Sequence, residues 1–157
     1  MRGASSTRRL PLPSEDAVFV PLSRWQAERE TLRERNAPVG VLVEAGEDVR
    51  TVAHDLAHIV AFAVSFPKFA DGHGYSTARI LREDPGYEGE IRAVGDVLID
   101  QIALMRRCGI DAFMVSHAPT RADLAAGRIP EVELYYQPVG RATEMPASIR
   151  PRLRRPA

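Results

Sequence analysis

The stretch HIVAFAVSFPKFADGHGYSTARILRE, residues 58–83, decides the order of structural elements in this chain. Its first nine residues form a continuous apolar run, which is typical of a parallel strand covered on both faces. The end of the stretch, TARILRE, has a helical pattern, and Ser76 is predicted to cap the start of that helix. Two glycines flanking a histidine lie between the two elements. The stretch therefore predicts a strand, a polar corner and a helix.

The same alternation of strand and helix recurs along the chain. A strand, helix and strand repeated at this spacing indicate βαβ units and a mainly parallel sheet. A closed eight-unit barrel typically needs ~250 residues, so we expect an α/β fold with an open sheet or a partial (β/α) barrel. About five mainly parallel strands with connecting helices are predicted, at residues 39–45, 58–66, 89–95, 111–116 and 131–138. Residues 16–25 are predicted to add a short strand or an extended segment.

The length of 157 residues suits one domain. Residues 1–16 are rich in Ser, Arg and Pro and are expected to be a flexible N-terminal arm. Residues 17–138 are expected to form a single α/β domain. Residues 139–157 are expected to be a mostly disordered basic tail, because they combine prolines with several arginines.

Charge and composition limit where in the cell we expect the protein and which classes of partner we expect it to bind. Lys and Arg together number 21, as do Asp and Glu, so the chain has no net field that favours nucleic acid or a membrane. The longest apolar run, residues 59–66, is far shorter than the ~18–20 residues that cross a bilayer. A single cysteine, Cys108, cannot form an internal disulfide. We therefore expect a cytoplasmic protein, and a homo-oligomer in which a second copy covers the exposed sheet edges.

Candidate site residues lie in three loops that follow predicted strands. In parallel α/β folds, ligands bind at the carboxyl ends of the strands, so these loops are expected to surround one cleft. Lys68 and Ser116 belong to two of these loops. The candidate catalytic residues are Asp71, His73, Asp96 and His117, and the candidate anion-binding residues are Gly72, Gly74, Tyr75, Ser76, Arg79 and Arg92.

The corner DGHGYS, residues 71–76, has two interpretations. Glycines beside a helix N-terminus expose backbone N–H groups that bind anions. Alternatively, the corner is a tight turn with an Asx-type bond from Asp71 and a cap from Ser76. The spacing matches neither the dinucleotide-binding nor the Walker pattern. The sequence leaves both interpretations open.

Two further pairs of residues are spaced four apart. Asp96 and Asp100 could share acid–base work, but Asp96 is also predicted to cap the following helix. His54 and His58 could lie on one helical face, yet no third ligand is indicated, so no metal site is predicted.

Three segments together resemble a bacterial family of unknown function. They are DGHGYS at 71–76, RAVGDVLIDQ at 92–101 and RCGIDAF at 107–113, within a resemblance that covers residues 58–115. Members of that family are identified as oxidoreductases associated with sulfite reduction and are encoded beside assimilatory sulfite reductase. The resemblance implies sulfite reductase as a partner and a small anion as a ligand. It indicates no cofactor and leaves enzymatic activity undetermined.

One departure from the family pattern concerns the anion. His73 stands where the family usually has arginine. An arginine would hold an oxyanion with two hydrogen bonds, whereas a histidine binds it fully only when protonated.

Three hypotheses follow from these observations. The first is an accessory protein or oxidoreductase of assimilatory sulfite reduction. The second is a small enzyme acting on a phosphorylated or carboxylated metabolite, with Arg79 and Arg92 holding the anion and Asp96 or His117 acting as base. The third is a non-catalytic oligomeric module in which the same charged residues form structural ion pairs.

Overall fold

A computed structural model describes residues 11–68 and 71–130 of the chain. Within them, five strands form one fully parallel sheet in the order β1-β2-β3-β4-β5. The sheet is open, so the predicted α/β architecture is confirmed. The strands are β1 Val18–Pro21, β2 Val39–Val43, β3 Ala61–Phe66, β4 Glu90–Gly95 and β5 Ala112–Val115.

Helical segments connect each strand to the next. The described α-helices are α1 Leu22–Ala27, α2 Arg29–Arg33, α3 His73–Glu83, α4 Ile102–Arg107 and α5 Ala118–Ala125, with 3₁₀ segments at Val49–His58 and Ile99–Gln101. None of the helices in these parts of the chain is long and apolar enough to cross a membrane.

The set of five strands differs from the prediction at both ends of the sheet. β1 comes from the segment predicted as a short strand or an extended stretch, and it pairs with β2. The predicted strand at 131–138 lies outside the described residues, as do the tail at 139–157 and residues 1–10 of the arm.

The hydrophobic core lies on one side of the sheet. Consecutive strands are neighbours, and right-handed crossovers in such an order place every connecting helix on the same face. Val41, Phe62 and Ile91 project to that side and are fully buried with Leu81 of α3 and Ile102 of α4.

The predicted burial of β3 on both faces is confirmed, because consecutive residues from Ala61 to Val64 are all buried. Ala61 and Ala63 project away from the core, yet they are buried. On the same face, the guanidinium carbon of Arg92 on β4 is 5.7 Å from the ring centroid of Phe19 on β1. The apolar run in β3 therefore corresponds to burial on both of its faces, although the core formed by the described residues lies on only one of them.

The two predicted helix caps, Ser76 and Asp96, are wrong. α3 begins at His73, so Ser76 lies inside the helix, and the first helical N–H is bound by Asp71. Asp96 precedes a 3₁₀ turn that starts only at Ile99, and its backbone N–H donates to the carbonyl of Phe66 at 2.8 Å. The chain turns at Gly95 before any helix begins, which leaves Asp96 in the loop.

Candidate functional site

At the carboxyl edge of the sheet, two loops pack against Phe66, the last residue of β3. A Cβ on Gly74 would lie 2.5 Å from the Phe66 ring, so only glycine lets the first turn of α3 approach this closely. The ring of Tyr75 packs edge-on against Phe66, with centroids 5.2 Å apart and an interplanar angle of 78°. The polar corner therefore packs directly on the end of β3.

The loop after β4 is attached to the same residue. Gly95 has φ of 108°, and a Cβ there would lie 2.5 Å from the backbone oxygen of Phe66. That oxygen accepts the 2.8 Å hydrogen bond from the N–H of Asp96. Segments 71–76 and 92–101, which carry the family resemblance, therefore meet at Phe66.

Tyr75 links the corner to the 3₁₀ turn before α4. Burial raises the pKa of Tyr75, Cys108 and Asp100 raise it further, and a hydrogen bond with Gln101 acts in the opposite direction. Gln101 is buried, and its Oε1 accepts the backbone N–H of Leu98 at 3.1 Å. Tyr75 is thus a neutral phenol at physiological pH. It can take part in hydrogen bonds, and it carries no charge that would repel or attract an anion.

The Asp71 carboxylate holds the corner itself together. Its Oδ1 accepts the backbone N–H of His73 at 3.0 Å and lies 2.6 Å from the ring Nδ1 of His73. The backbone hydrogen bond, and then the ring, hold the pKa of Asp71 below its usual value. Gly72 has open space around it and a negative φ, so this position does not require glycine. The Asx-type turn predicted as one alternative is present.

The two candidate arginines lie on different elements. Arg79 extends along α3 and pairs with Glu83, with Nη2 2.8 Å from Oε1. Arg92 lies on the sheet face opposite the helices and pairs with Glu90 at 2.6 Å. Phe66, in contrast, projects into the core on the helical side. Arg92 and Phe66 therefore project from opposite faces of the sheet.

His117 is used as a helix cap. Its Nδ1 accepts the backbone N–H of Thr120 at 3.4 Å and lies 2.9 Å from the Thr120 hydroxyl, which fixes the start of α5. Ser116 is exposed beside it.

The carboxyl edge is acidic. Asp71, Asp96 and Asp100 lie in its loops, against Lys68 and the ring of His73, which is 66% exposed. Asp71 already contacts Nδ1 of this ring, so a carboxylate lies where an oxyanion would otherwise approach that nitrogen. In the described ranges, no group of three or more His, Cys, Asp and Glu side chains could hold a metal ion. The edge is suited to hydrogen bonding and to contact with a basic surface.

A buried aspartate was missed by the sequence interpretation. In HDLAH the histidines drew attention, but the 3₁₀ segment has about three residues per turn, so His54 and His58 do not share a face. Asp55 between them is fully buried and binds three side chains from α1 and α2: Trp25, Arg29 and Arg33. These three residues are spaced four apart in the sequence, and that spacing could have indicated that they share one helical face and one partner. The role of Asp55 is structural.

These features define an α/β protein with an open, sequentially ordered parallel sheet, a core on one face and a polar edge built around the end of β3. The chain belongs to the bacterial family of proteins of unknown function DUF934, which matches residues 40–146. The resemblance to a bacterial family of unknown function is thereby confirmed. No curated protein and no solved structure matches the chain.

Proposed function

We propose that this protein is a cytoplasmic accessory protein of assimilatory sulfite reduction that binds sulfite reductase through the polar edge around Phe66. The observation that carries the proposal is the meeting of segments 71–76 and 92–101 at that residue. Two segments distant in sequence are brought to one exposed edge, and they are the segments that resemble the family associated with sulfite reduction.

The charge of the edge favours an accessory role over direct handling of sulfite. Asp71, Asp96 and Asp100 oppose an anion there, and the His73 ring is already engaged by a carboxylate. Acidic loops are well suited to a basic patch on a partner protein, because complementary charges steer association. In this proposal the oxyanion is bound by the reductase, and the present chain contacts the reductase.

The metabolite-enzyme hypothesis receives less support. It needs Arg79 and Arg92 beside the same ligand, whereas each is paired with a glutamate on a different surface. His117, its candidate base, is bound to the start of α5.

The test is a binding and turnover measurement with purified sulfite reductase. The full chain is titrated onto immobilised reductase, and sulfite consumption is followed with and without it. We expect saturable binding and a change in turnover. The variant carrying Asp96→Asn and Asp100→Asn should bind about tenfold more weakly at low salt, because two exposed edge charges are lost.

A matched control removes two exposed acids from the opposite edge. Asp84→Asn with Glu88→Gln changes the net charge equally, but these residues follow α3 and precede β4. The control should bind like the unaltered chain. Absence of binding and of any effect on turnover would contradict the proposal, as would equal weakening by both double variants.

A further inference from the structure

Of the five described strands, β5 is the only one without a fully buried residue. It pairs with β4 on one side, and no described strand pairs with its other side, which we call the outer edge of β5. Phe113 of β5 is in register with Ala93 of β4 and faces the core with it. Ala93 is fully buried, whereas Phe113 and Val115 are only partly buried. The described residues therefore leave the core incompletely covered at this edge.

The chain leaves α5 and returns to the core just beyond it. Gly127 has φ of 68°, and its N–H donates to the carbonyl of Leu124 at 3.0 Å, while the N–H of Arg128 donates to the carbonyl of Asp123 at 2.8 Å. This pair of hydrogen bonds is the Schellman motif, which ends a helix. Ile129 then packs against the core and is partly buried. The helix is thus complete, and the chain has come back to the sheet by residue 129.

The position of α5 determines the side on which a following strand would lie. Leu124 of α5 packs against the same core as α3 and α4, so α5 lies on the helical side of the sheet. Crossovers between parallel strands are almost always right-handed. With its helix on that side, a right-handed crossover advances in the direction that leads from β1 to β5. A parallel strand after α5 therefore belongs on the outer edge of β5.

The segment EVELYYQP, residues 131–138, follows directly and has a strand-like pattern. Val132, Leu134 and Tyr136 recur at every second position, and a glutamate precedes each of the first two. A period of two is typical of a strand with one face on a core. Eight extended residues span ~26 Å, which is longer than β5 itself. Prolines at 130 and 138 bound the segment, and proline is tolerated at the ends of edge strands.

We propose that the outer edge of β5 binds residues 131–138 of this same chain as a sixth, parallel strand. The three apolar positions of the segment complete the core beside Phe113 and Val115, and its two glutamates point to the opposite face. An unpaired strand edge is a template for aggregation, and pairing with the chain's own segment removes that hazard. The inference does not rest on the proposed function.

Other occupants of a strand edge are a second copy of the chain or a strand of another protein. The chain's own segment is favoured because it is tethered at the edge by residue 130, the last described residue. A short tether gives an effective concentration on the order of millimolar, which a free partner seldom reaches.

The test is nuclear magnetic resonance of the isotopically labelled full chain. The amide hydrogens of residues 131–138 should exchange at least about a hundredfold more slowly than those of an unfolded chain. Nuclear Overhauser effects should connect the backbone of this segment to residues 112–115. Both results should be the same at about 20 µM and about 500 µM, because intramolecular pairing does not depend on concentration.

Two variants distinguish the two faces of the segment. Leu134→Glu places a charge against the core and should abolish the slow exchange of residues 131–138. Glu133→Gln is the matched control, because successive strand residues point to opposite faces, and it should retain the slow exchange. If Leu134→Glu does not fold, Leu134→Ala replaces it and should make exchange in the segment at least about tenfold faster.

Three results would overturn the inference. The first is fast exchange throughout residues 131–138 in the unaltered chain. The second is slow exchange that appears only at the higher concentration, which would assign the outer edge of β5 to a second copy. The third is a set of Overhauser effects that connects the segment to a strand other than β5. Equal loss of slow exchange in Leu134→Glu and Glu133→Gln would contradict the assignment of the two faces.

Discussion

Asp55 accepts a 2.9 Å hydrogen bond from the indole Nε1 of Trp25, and both side chains are fully buried. The same carboxylate pairs with Arg29 at 2.9 Å and with Arg33 at 2.6 Å. It thereby fastens α1 and α2, which follow β1, to the 3₁₀ segment that follows β2. One hydrogen bond and two ion pairs compensate the buried charge, and pairing of this kind is the condition under which a buried carboxylate is tolerated.

Removing the Asp55 charge should destabilise the protein strongly. In Asp55→Asn the two guanidinium groups lose their carboxylate, while Trp25 keeps only a weaker acceptor. We expect the free energy of unfolding to fall by about 3 kcal/mol, the lower end for a broken buried pair because both arginines are partly exposed. Urea denaturation measures the change.

The control for this variant is Asp84→Asn. Asp84 pairs with Arg50 at 3.0 Å, and both side chains are more than half exposed. Loss of that pair should cost less than about 1 kcal/mol. Equal losses of unfolding free energy in the two variants would show that the buried Asp55 pairs stabilise the fold no more than an exposed ion pair does.

Gly95→Ala should destabilise the carboxyl edge. The φ of 108° is unfavourable for alanine, and its Cβ would meet the Phe66 backbone oxygen at 2.5 Å. Gly46 also has positive φ, at 85°, but has open space around it. Gly46→Ala should cost about 1–2 kcal/mol from the backbone alone, and Gly95→Ala should cost more. Thermal unfolding compares the two, and a similar cost would refute the close contact at Phe66.

Tyr87 should make stability depend on alkaline pH. Burial raises its pKa from 10.0 to about 12, and its hydroxyl donates to the carbonyl of Ile59 at 3.0 Å. Because the folded pKa is the higher one, the unfolded chain loses this proton first. The stabilisation is complete below pH 10 and is lost as the pH rises towards 12.

Tyr87→Phe isolates this contribution. At neutral pH the variant should be less stable by about 1 kcal/mol, since the Ile59 carbonyl loses its donor. The stability difference from the unaltered chain should shrink between pH 10 and 12. A difference that stays constant over that interval would contradict the assignment.

Arg92→Ala separates a surface role of this residue from a structural one. Arg92 is about one-third exposed and is paired within its own strand, so its loss should cost no more than about 1 kcal/mol. The hypothesis of a structural module held together by buried ion pairs expects ~3–5 kcal/mol instead. Chemical denaturation of the variant decides between them.

Local chemistry made the α/β class predictable from the sequence. Strands are indicated by the apolar runs at 39–45 and 58–66, and turns are indicated by the glycines between elements. Such patterns can be told apart because strand and helix periodicities differ. The resemblance likewise depended on short contiguous segments. Caps were less predictable: Ser76 and Asp96 are both suitable cap residues, and neighbouring backbone geometry chose against them.

Tertiary structure alone decided which residues share a surface. Arg92 appears with the corner in sequence but lies on the other face of the sheet, since a strand alternates its side chains between two faces. The burial of Asp55 required α1 and α2 to fold over the 3₁₀ segment. The placement of the connecting helices depends on strand order, which no local pattern encodes. Sequence determined the elements by short-range preferences, and long-range packing determined the edge at Phe66.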